Sequence, residues 1–177
     1  MGKIKSLPKY DQLTLWHFTG HYSRVPNLIG GMVKHNLEDP KQLEYKDTCV
    51  IRISRCLNLA NQPITKKAGI RMNSGDNKKG MKGKLWYVYS VVDMKKYLEL
   101  TYGAPDVVLR GKRGSFTKEK LKGQQKGIIL FTGHHVDLWN GTNCNYHDDS
   151  FAKATEILIW ATPDNVAPKK EKTRIKK

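Results

Sequence analysis

The amino-acid sequence predicts an α+β fold in which helices pack on one side of a mostly antiparallel sheet. Three observations carry this expectation. One segment repeats apolar residues at helical spacing behind a cap, and another opens with a capping pair and stops at Gly103 and Pro105. Short runs of branched and aromatic residues at strand length lie mainly after the first of these helices. Helices that come first, with strands mostly following, suit segregated rather than alternating layers. With 177 residues and 38% hydrophobic content, one core is affordable and the composition is not that of a disordered chain. The expected organisation is one domain over 1–167 and a basic, disordered tail over 168–177, and no internal repeat occurs.

From Tyr10 to His35, aromatic residues, histidines and the pair Gly30-Gly31 suggest a short helix or turn followed by the start of a helix. Residues 47–60 form the clearest early helix. Asp47 or Thr48 can cap it, and Val50, Ile53, Leu57 and Ala60 make one apolar stripe before Pro63 bars continuation. The lysine- and glycine-rich segment 64–84 reads as a long exposed loop. Leu85 to Tyr89 suits a strand, and Ser90 with Asp93 opens a helix from Val91 to Tyr102. A second basic loop covers 110–126. Gly127 to Phe131 reads as a buried strand, His135 to Trp139 as a strand by alternation, and Ile157 to Trp160 as a further apolar strand.

Charge narrows the choice of partners. Lys and Arg number 32 against 16 Asp and Glu, a net of +16 that favours anionic partners at long range: nucleic acid, an anionic membrane surface or an acidic polymer such as a bacterial cell wall. No stretch has the length and apolarity of a signal peptide or a membrane span, so the expectation is cytoplasmic synthesis without a cleavable leader and without membrane insertion. Three cysteines, Cys49, Cys56 and Cys144, cannot complete a disulfide framework, and no Cys-x-x-Cys pair suggests structural zinc.

Cys49 stands at the start of the predicted helix, where the helix dipole and unpaired N–H groups favour a thiolate and stabilise an oxyanion formed by its attack. A cysteine nucleophile needs a base, and His135 opens a strand far along the chain. Only one of the neighbours His134 and His135 can face the helix, and alternation does not choose between them. A third group would orient the ring; the candidates are Asp148, Asp149 and Asp137. His17, His21 and His35 read as surface or satisfied core histidines, and Cys56 as core.

These residues lie in segments that resemble a known family. Leu28-Ile29-Gly30-Gly31 followed by Asp47-Thr48-Cys49-Val50-Ile51-Arg52-Ile53-Ser54 resembles the nucleophile region of the type VI secretion amidase effectors, family 4. Trp86 to Tyr89, Val92 to Leu98 and Tyr102 to Asp106 are similar to its central strand and helix. Lys126 to Ile129 and Gly133-His134-His135-Val136-Asp137-Leu138-Trp139-Asn140-Gly141 resemble its histidine strand. The resemblance runs from about Leu15 to Ala161 and implies an NlpC/P60-like, papain-type fold. It also implies hydrolysis of the bond between D-glutamate and diaminopimelate in peptidoglycan, with Cys49 as nucleophile. Alignment on Leu138-Trp139 makes His135 the base, with His134 in the family's usual glycine position. The third member is expected at Asp148, then Asp149, then Asp137. Cys144 matches the first cysteine of a loop that a disulfide closes in some members, but no second cysteine follows it.

The resemblance further implies delivery by the type VI secretion apparatus to the periplasm of a target bacterium, peptidoglycan stem peptides as substrate, a cognate immunity protein, and no cofactor or metal. Two other functions fit parts of the sequence. A basic nucleic-acid-binding protein or nuclease fits the charge, although no zinc-finger, RNP or helix-turn-helix pattern is present. A non-catalytic wall-binding module would make Cys49 a core residue only.

Overall fold

A computed structural model describes residues 4–42, 48–76, 84–146 and 150–165. Its N-terminal part is helical: α1 (Tyr10–Trp16), a 3-10 turn (Tyr22–Arg24), α2 (Val25–Ile29), α3 (Gly31–Glu38) and α4 (Thr48–Leu59). A two-stranded antiparallel ribbon, β1 (Met72–Gly75) with β2 (Leu85–Val88), leads into α5 (Val91–Tyr102). The remaining strands are β3 (Val107–Arg110), β4 (Gly127–Phe131), β5 (His135–Trp139) and β6 (Glu156–Ala161), with α6 (Lys118–Leu121) between β3 and β4. They form one antiparallel sheet in the order β3-β6-β4-β5, which leaves β5 at an edge.

The expected apolar stripe of α4 is buried: Val50, Ile53, Leu57 and Ala60 pack with α1, α5 and one face of the sheet. That face presents Ile128, Leu130, Val136, Leu138, Leu158 and Trp160. The helix ends where Asn61 takes a left-handed backbone (φ 61°) and Gln62 N–H donates to the Leu57 carbonyl. Its described part runs from Thr48, which puts Cys49 in the first turn; Asp47, the alternative cap, lies outside the described residues. In α5 the Ser90 side chain accepts the Asp93 N–H, as the capping pair predicts, and the helix stops at Gly103.

Helices do not cover one side of the sheet alone. The second face, with Ile129, Phe131, Trp139, Ile157 and Ile159, is roofed by Leu121 of α6 and by Phe151 in a 3-10 turn (Phe151–Lys153). Burial on both faces explains why β4 reads as an unbroken apolar run. Two segments expected as loops also carry structure. Met72–Gly75 is a strand within the polar segment 64–84, and α6 interrupts the basic segment 110–126. Strand β3, absent from the sequence expectation, pairs with β6 at the other edge.

The glycine pair between α2 and α3 serves close packing. Both residues have positive φ (69° and 57°), and a side chain at Gly31 would press on the β1 backbone at Ser74 and Gly75. A third helical layer forms there, with Val25, Ile29 and Val33 against Ile51, Leu85 and Tyr87. Residues 166–177, which include the basic tail, and 77–83 of the lysine-rich segment lie outside the described residues. Among the described residues no helix is long and apolar enough to cross a membrane.

Gly127 faces both neighbours of β4, Trp139 on β5 and Ala161 on β6, and a Cβ there would run into the Trp160 carbonyl oxygen. Gly127→Ala is expected to destabilise the fold by about 1–3 kcal/mol, the usual range for overpacking. Urea denaturation of the variant beside the parent protein checks this.

Candidate active site

Helix α4 packs against β5, and this contact joins the two halves of the candidate site. Cys49 is half-buried in the first turn of α4, and His135, 8% exposed, is the first residue of β5. The Cys49 side chain and the Asp137 carboxylate both interact with the His135 imidazole. Asp137 follows two residues after His135 on the same face of the strand, and its Oδ2 lies 3.6 Å from His135 Nε2.

The electrostatics follow from this crowding. Burial acts to lower the His135 pKa, yet the side-chain interactions with Asp137 and Cys49 outweigh it and hold the value up at about 9. The ring is therefore protonated at neutral pH. Asp137 is 1% exposed. Its oxygens accept the N–H groups of Leu138 (2.7 Å) and Tyr146 (2.9 Å), so the carboxylate is satisfied away from water. Alternation alone suggests a solvated strand residue at 137; His17 from the segment after α1 and Tyr146 from the segment after β5 stand against it and make it interior.

A second histidine enters the cluster from the N-terminal region. His17 caps α1, and its side chain is 1% exposed with Nε2 3.6 Å from Asp137 Oδ1. Burial lowers its pKa, assisted by Arg52 and His135 against the opposing pull of Asp137, and the result is about 4. Two arginines of α4 hold the chain that carries it. Arg52 is 2% exposed, donates to the carbonyls of Phe18 and Gly20 (both 2.9 Å), and stacks 3.8 Å from the Tyr146 ring centre. Arg55 donates to the Trp16 carbonyl. The sequence offered a signal for the arginines, which stand at i and i+3 on a mostly buried helix, but none for His17.

The other sequence candidates separate cleanly. His134 lies in the turn before β5, where its Nε2 donates to the Ser150 carbonyl at 3.1 Å. Asp148 and Asp149 lie outside the described residues. Cys56 is fully buried in the main core, and burial pushes its thiol pKa up. Cys144 forms a β-bridge with Trp139 and packs on the second core layer. His21 and His35 are exposed.

Two depressions share Ser23, and one of them reaches the start of α4. One, of about 320 Å³, is lined by Tyr22, Ser23, Pro26, Leu37, Glu38 and Thr48, the residue before Cys49. The other, of about 280 Å³, is lined by Phe18, Ser23, Arg24, Asn27 and Leu28.

This architecture has solved counterparts. An effector–immunity complex, Tae4–Tai4 from Salmonella Typhimurium, matches at 28% identity over 88% of this chain and 99% of that one, with a TM-score of 0.72. The type VI effector Tae4 from Enterobacter cloacae matches at 27% identity over 90% and 99%, with a TM-score of 0.71. A Salmonella Typhimurium Tae4 bound to the Enterobacter cloacae immunity protein Tai4 gives 28%, 88%, 99% and 0.70. No curated protein sequence matches significantly. The fold is thus the papain-like NlpC/P60 type, α+β with antiparallel sheets. The family model for type VI secretion system (T6SS) amidase effector protein 4 matches residues 45–160, a stretch that contains both Cys49 and His135, and the chain belongs to that family, Tae4.

Acid should weaken the protein through His17. In the unfolded chain this group titrates near 6.5 and in the folded protein near 4, so between those values the unfolded state binds more protons. Its contribution is intact above pH 6.5 and is lost as pH falls towards 4. Urea denaturation at neutral pH and at pH 4.5 should show a smaller acid-induced loss for His17→Gln than for the parent protein.

Proposed function

We propose that the chain is a peptidoglycan amidase that hydrolyses the γ-D-glutamyl–diaminopimelate bond by cysteine catalysis. The observation that carries this reading is the meeting of Cys49, in the first turn of α4, with a buried and protonated His135 on β5. The Cys49 thiolate attacks the γ-glutamyl carbonyl carbon, and the helix N-terminus favours the negative charge on the thiolate and on the developing oxyanion. His135 gives its proton to the departing diaminopimelate amine as the C–N bond breaks, leaving a thioester. Water then attacks the thioester with His135 taking its proton, and the C–S bond breaks to release the acid and restore the Cys49 thiolate beside protonated His135. The steps use no metal or organic cofactor.

A carboxylate completes the triad. The family resemblance assigns that part to Asp148. Asp137 is a second reading, favoured by its buried position 3.6 Å from His135. The substrate enters along the depression at Thr48 and the neighbouring one that shares Ser23, where Arg24 offers a cation to stem-peptide carboxylates. The +16 charge holds the enzyme on the anionic wall through its lysine-rich segments. A cognate immunity protein, by likeness to the Tae4–Tai4 complexes, covers the same cleft, whose lining includes the exposed Tyr22 and Leu28. Delivery by the type VI apparatus to a target periplasm brings enzyme and substrate together.

Purified Gram-negative peptidoglycan digested with the parent protein and analysed by mass spectrometry should release stems ending at D-glutamate. Cys49→Ala and His135→Ala should release none, while His134→Ala keeps most of the activity. Hydrolysis that survives Cys49→Ala would exclude the cysteine mechanism, and an intact wall with every variant would return nucleic-acid binding to consideration. In the same assay Asp148→Asn and Asp137→Asn should each slow hydrolysis if both carboxylates act on His135.

A further inference from the structure

His17 has no part in the mechanism above, yet it is one of the most deeply placed polar side chains beside the reacting pair. Its Nδ1 accepts from the Asn145 side-chain amide at 2.8 Å. An amide nitrogen can only donate, so Nδ1 of the neutral ring is bare and the proton sits on Nε2. That Nε2 points to Asp137 Oδ1 at 3.6 Å, while Oδ2 of the same carboxylate lies 3.6 Å from His135 Nε2. Both distances exceed a hydrogen bond but lie within ion-pair range, and contacts of this kind tighten when a substrate closes the site. One buried carboxylate therefore stands between two imidazoles, with the N–H groups of Leu138 and Tyr146 fixing its plane. Asn145 and Tyr146 belong to the segment after β5, and His17 to the segment after α1, so two segments meet at Asp137 of β5.

We propose that His17 and Asp137 are a positioning pair for His135: the Nε2–H of His17 braces one oxygen of the Asp137 carboxylate, and the other oxygen aligns the His135 ring with Cys49. This rests on Cys49 and His135 being the reacting pair. The pair acts through His135 and touches no reacting atom. It is additional to any carboxylate at position 148. The bracing gives a reason for a histidine to be buried here: a neutral donor stabilises the carboxylate without competing with His135 for its charge. Among the described residues, Arg52, Arg55 and Cys56 on α4, Tyr10 on α1, and Cys49, Cys144 and Tyr146 are other titratable or charged groups around the pair. None is altered in the comparison that follows, so their influence on His135 is common to every protein tested.

The test uses the full chain with Asp137→Asn, His17→Leu and His17→Gln, each first shown to melt cooperatively. Hydrolysis of a soluble stem peptide is followed by kcat and KM, and the His135 protonation midpoint by NMR of 15N-labelled histidine. Asp137→Asn should lower kcat roughly a hundredfold with little change in KM, the low end of what a well-placed acid–base group supplies. It should also lower the His135 midpoint by roughly one pH unit or more, as expected on losing a nearby opposite charge. His17→Leu should lower kcat roughly tenfold, the equivalent of one hydrogen bond to a charged group. His17→Gln, whose amide nitrogen can reach the same oxygen, should recover most of that loss. An unmoved His135 midpoint in Asp137→Asn, or equal kcat values for His17→Leu and His17→Gln, overturns the proposal. The NMR midpoint is read without turnover, so a protein that proves not to use Cys49 fails the functional reading while the pair is still tested.

Discussion

The Arg52 side chain is the constraint on which the site depends. It lies one turn beyond Cys49 on α4, is nearly excluded from water, and spends its planar fork on the carbonyls of Phe18 and Gly20. A guanidinium suits this better than an ammonium, because two parallel donors fix both the distance and the plane of the segment they hold. Its flat face then stacks on Tyr146 from the stretch after β5. A single side chain thus ties the chain after α1 and the chain after β5 to the helix that carries the cysteine. Both carbonyls and the aromatic face replace part of the hydration of this buried charge, while its Nε is left without a hydrogen-bond partner among the described residues.

The convergence shows what the sequence could and could not convey. Helices α4 and α5 were legible because their cores follow the helical period and their ends carry recognisable signals: Ser90 with Asp93, and Pro63 beyond the stop at Asn61. Strands β4, β5 and β6 were legible as apolar runs. Strand β1, Met-Asn-Ser-Gly, has almost no strand-forming residues and is held by its pairing with β2 and by the close approach of Gly31. Strand β3 is a short edge with alternating exposure, next to Pro105, and its partner is β6, some fifty residues away. Such pairings are tertiary decisions that local pattern does not encode.

The candidate site was legible to the same degree. Cys49 stood out through helix position and His135 through chain order and the family motif. Asp137 was on the page as a strand residue two places on, but alternation assigns polar positions of an edge strand to solvent, and here the segments carrying His17 and Tyr146 close over it. His17 offered no signal. Its significance lies in a contact with a residue 120 positions later, and a histidine among aromatic residues near a helix end looks like any other.

Burial is what turns these side chains into a device. Two arginines, a carboxylate and two histidines share a region from which water is largely excluded, so each charge is felt strongly by the others. The two imidazoles respond in opposite senses to the same surroundings. His135 contacts both Asp137 and Cys49 and is held protonated at neutral pH, whereas His17 contacts Asp137 but also feels Arg52, Arg55 and His135, and stays neutral. Protonating both rings would place two cations beside one carboxylate and two arginines, an arrangement the low dielectric penalises. The proton is therefore biased to the histidine that faces the cysteine. The lysines of the surface act at a different range, through a field that favours anionic partners and is screened by salt. Selection of the partner at long range and placement of the proton at short range are thus served by different residues, and α4 links them by carrying the cysteine at one end and anchoring the buried cluster along its length.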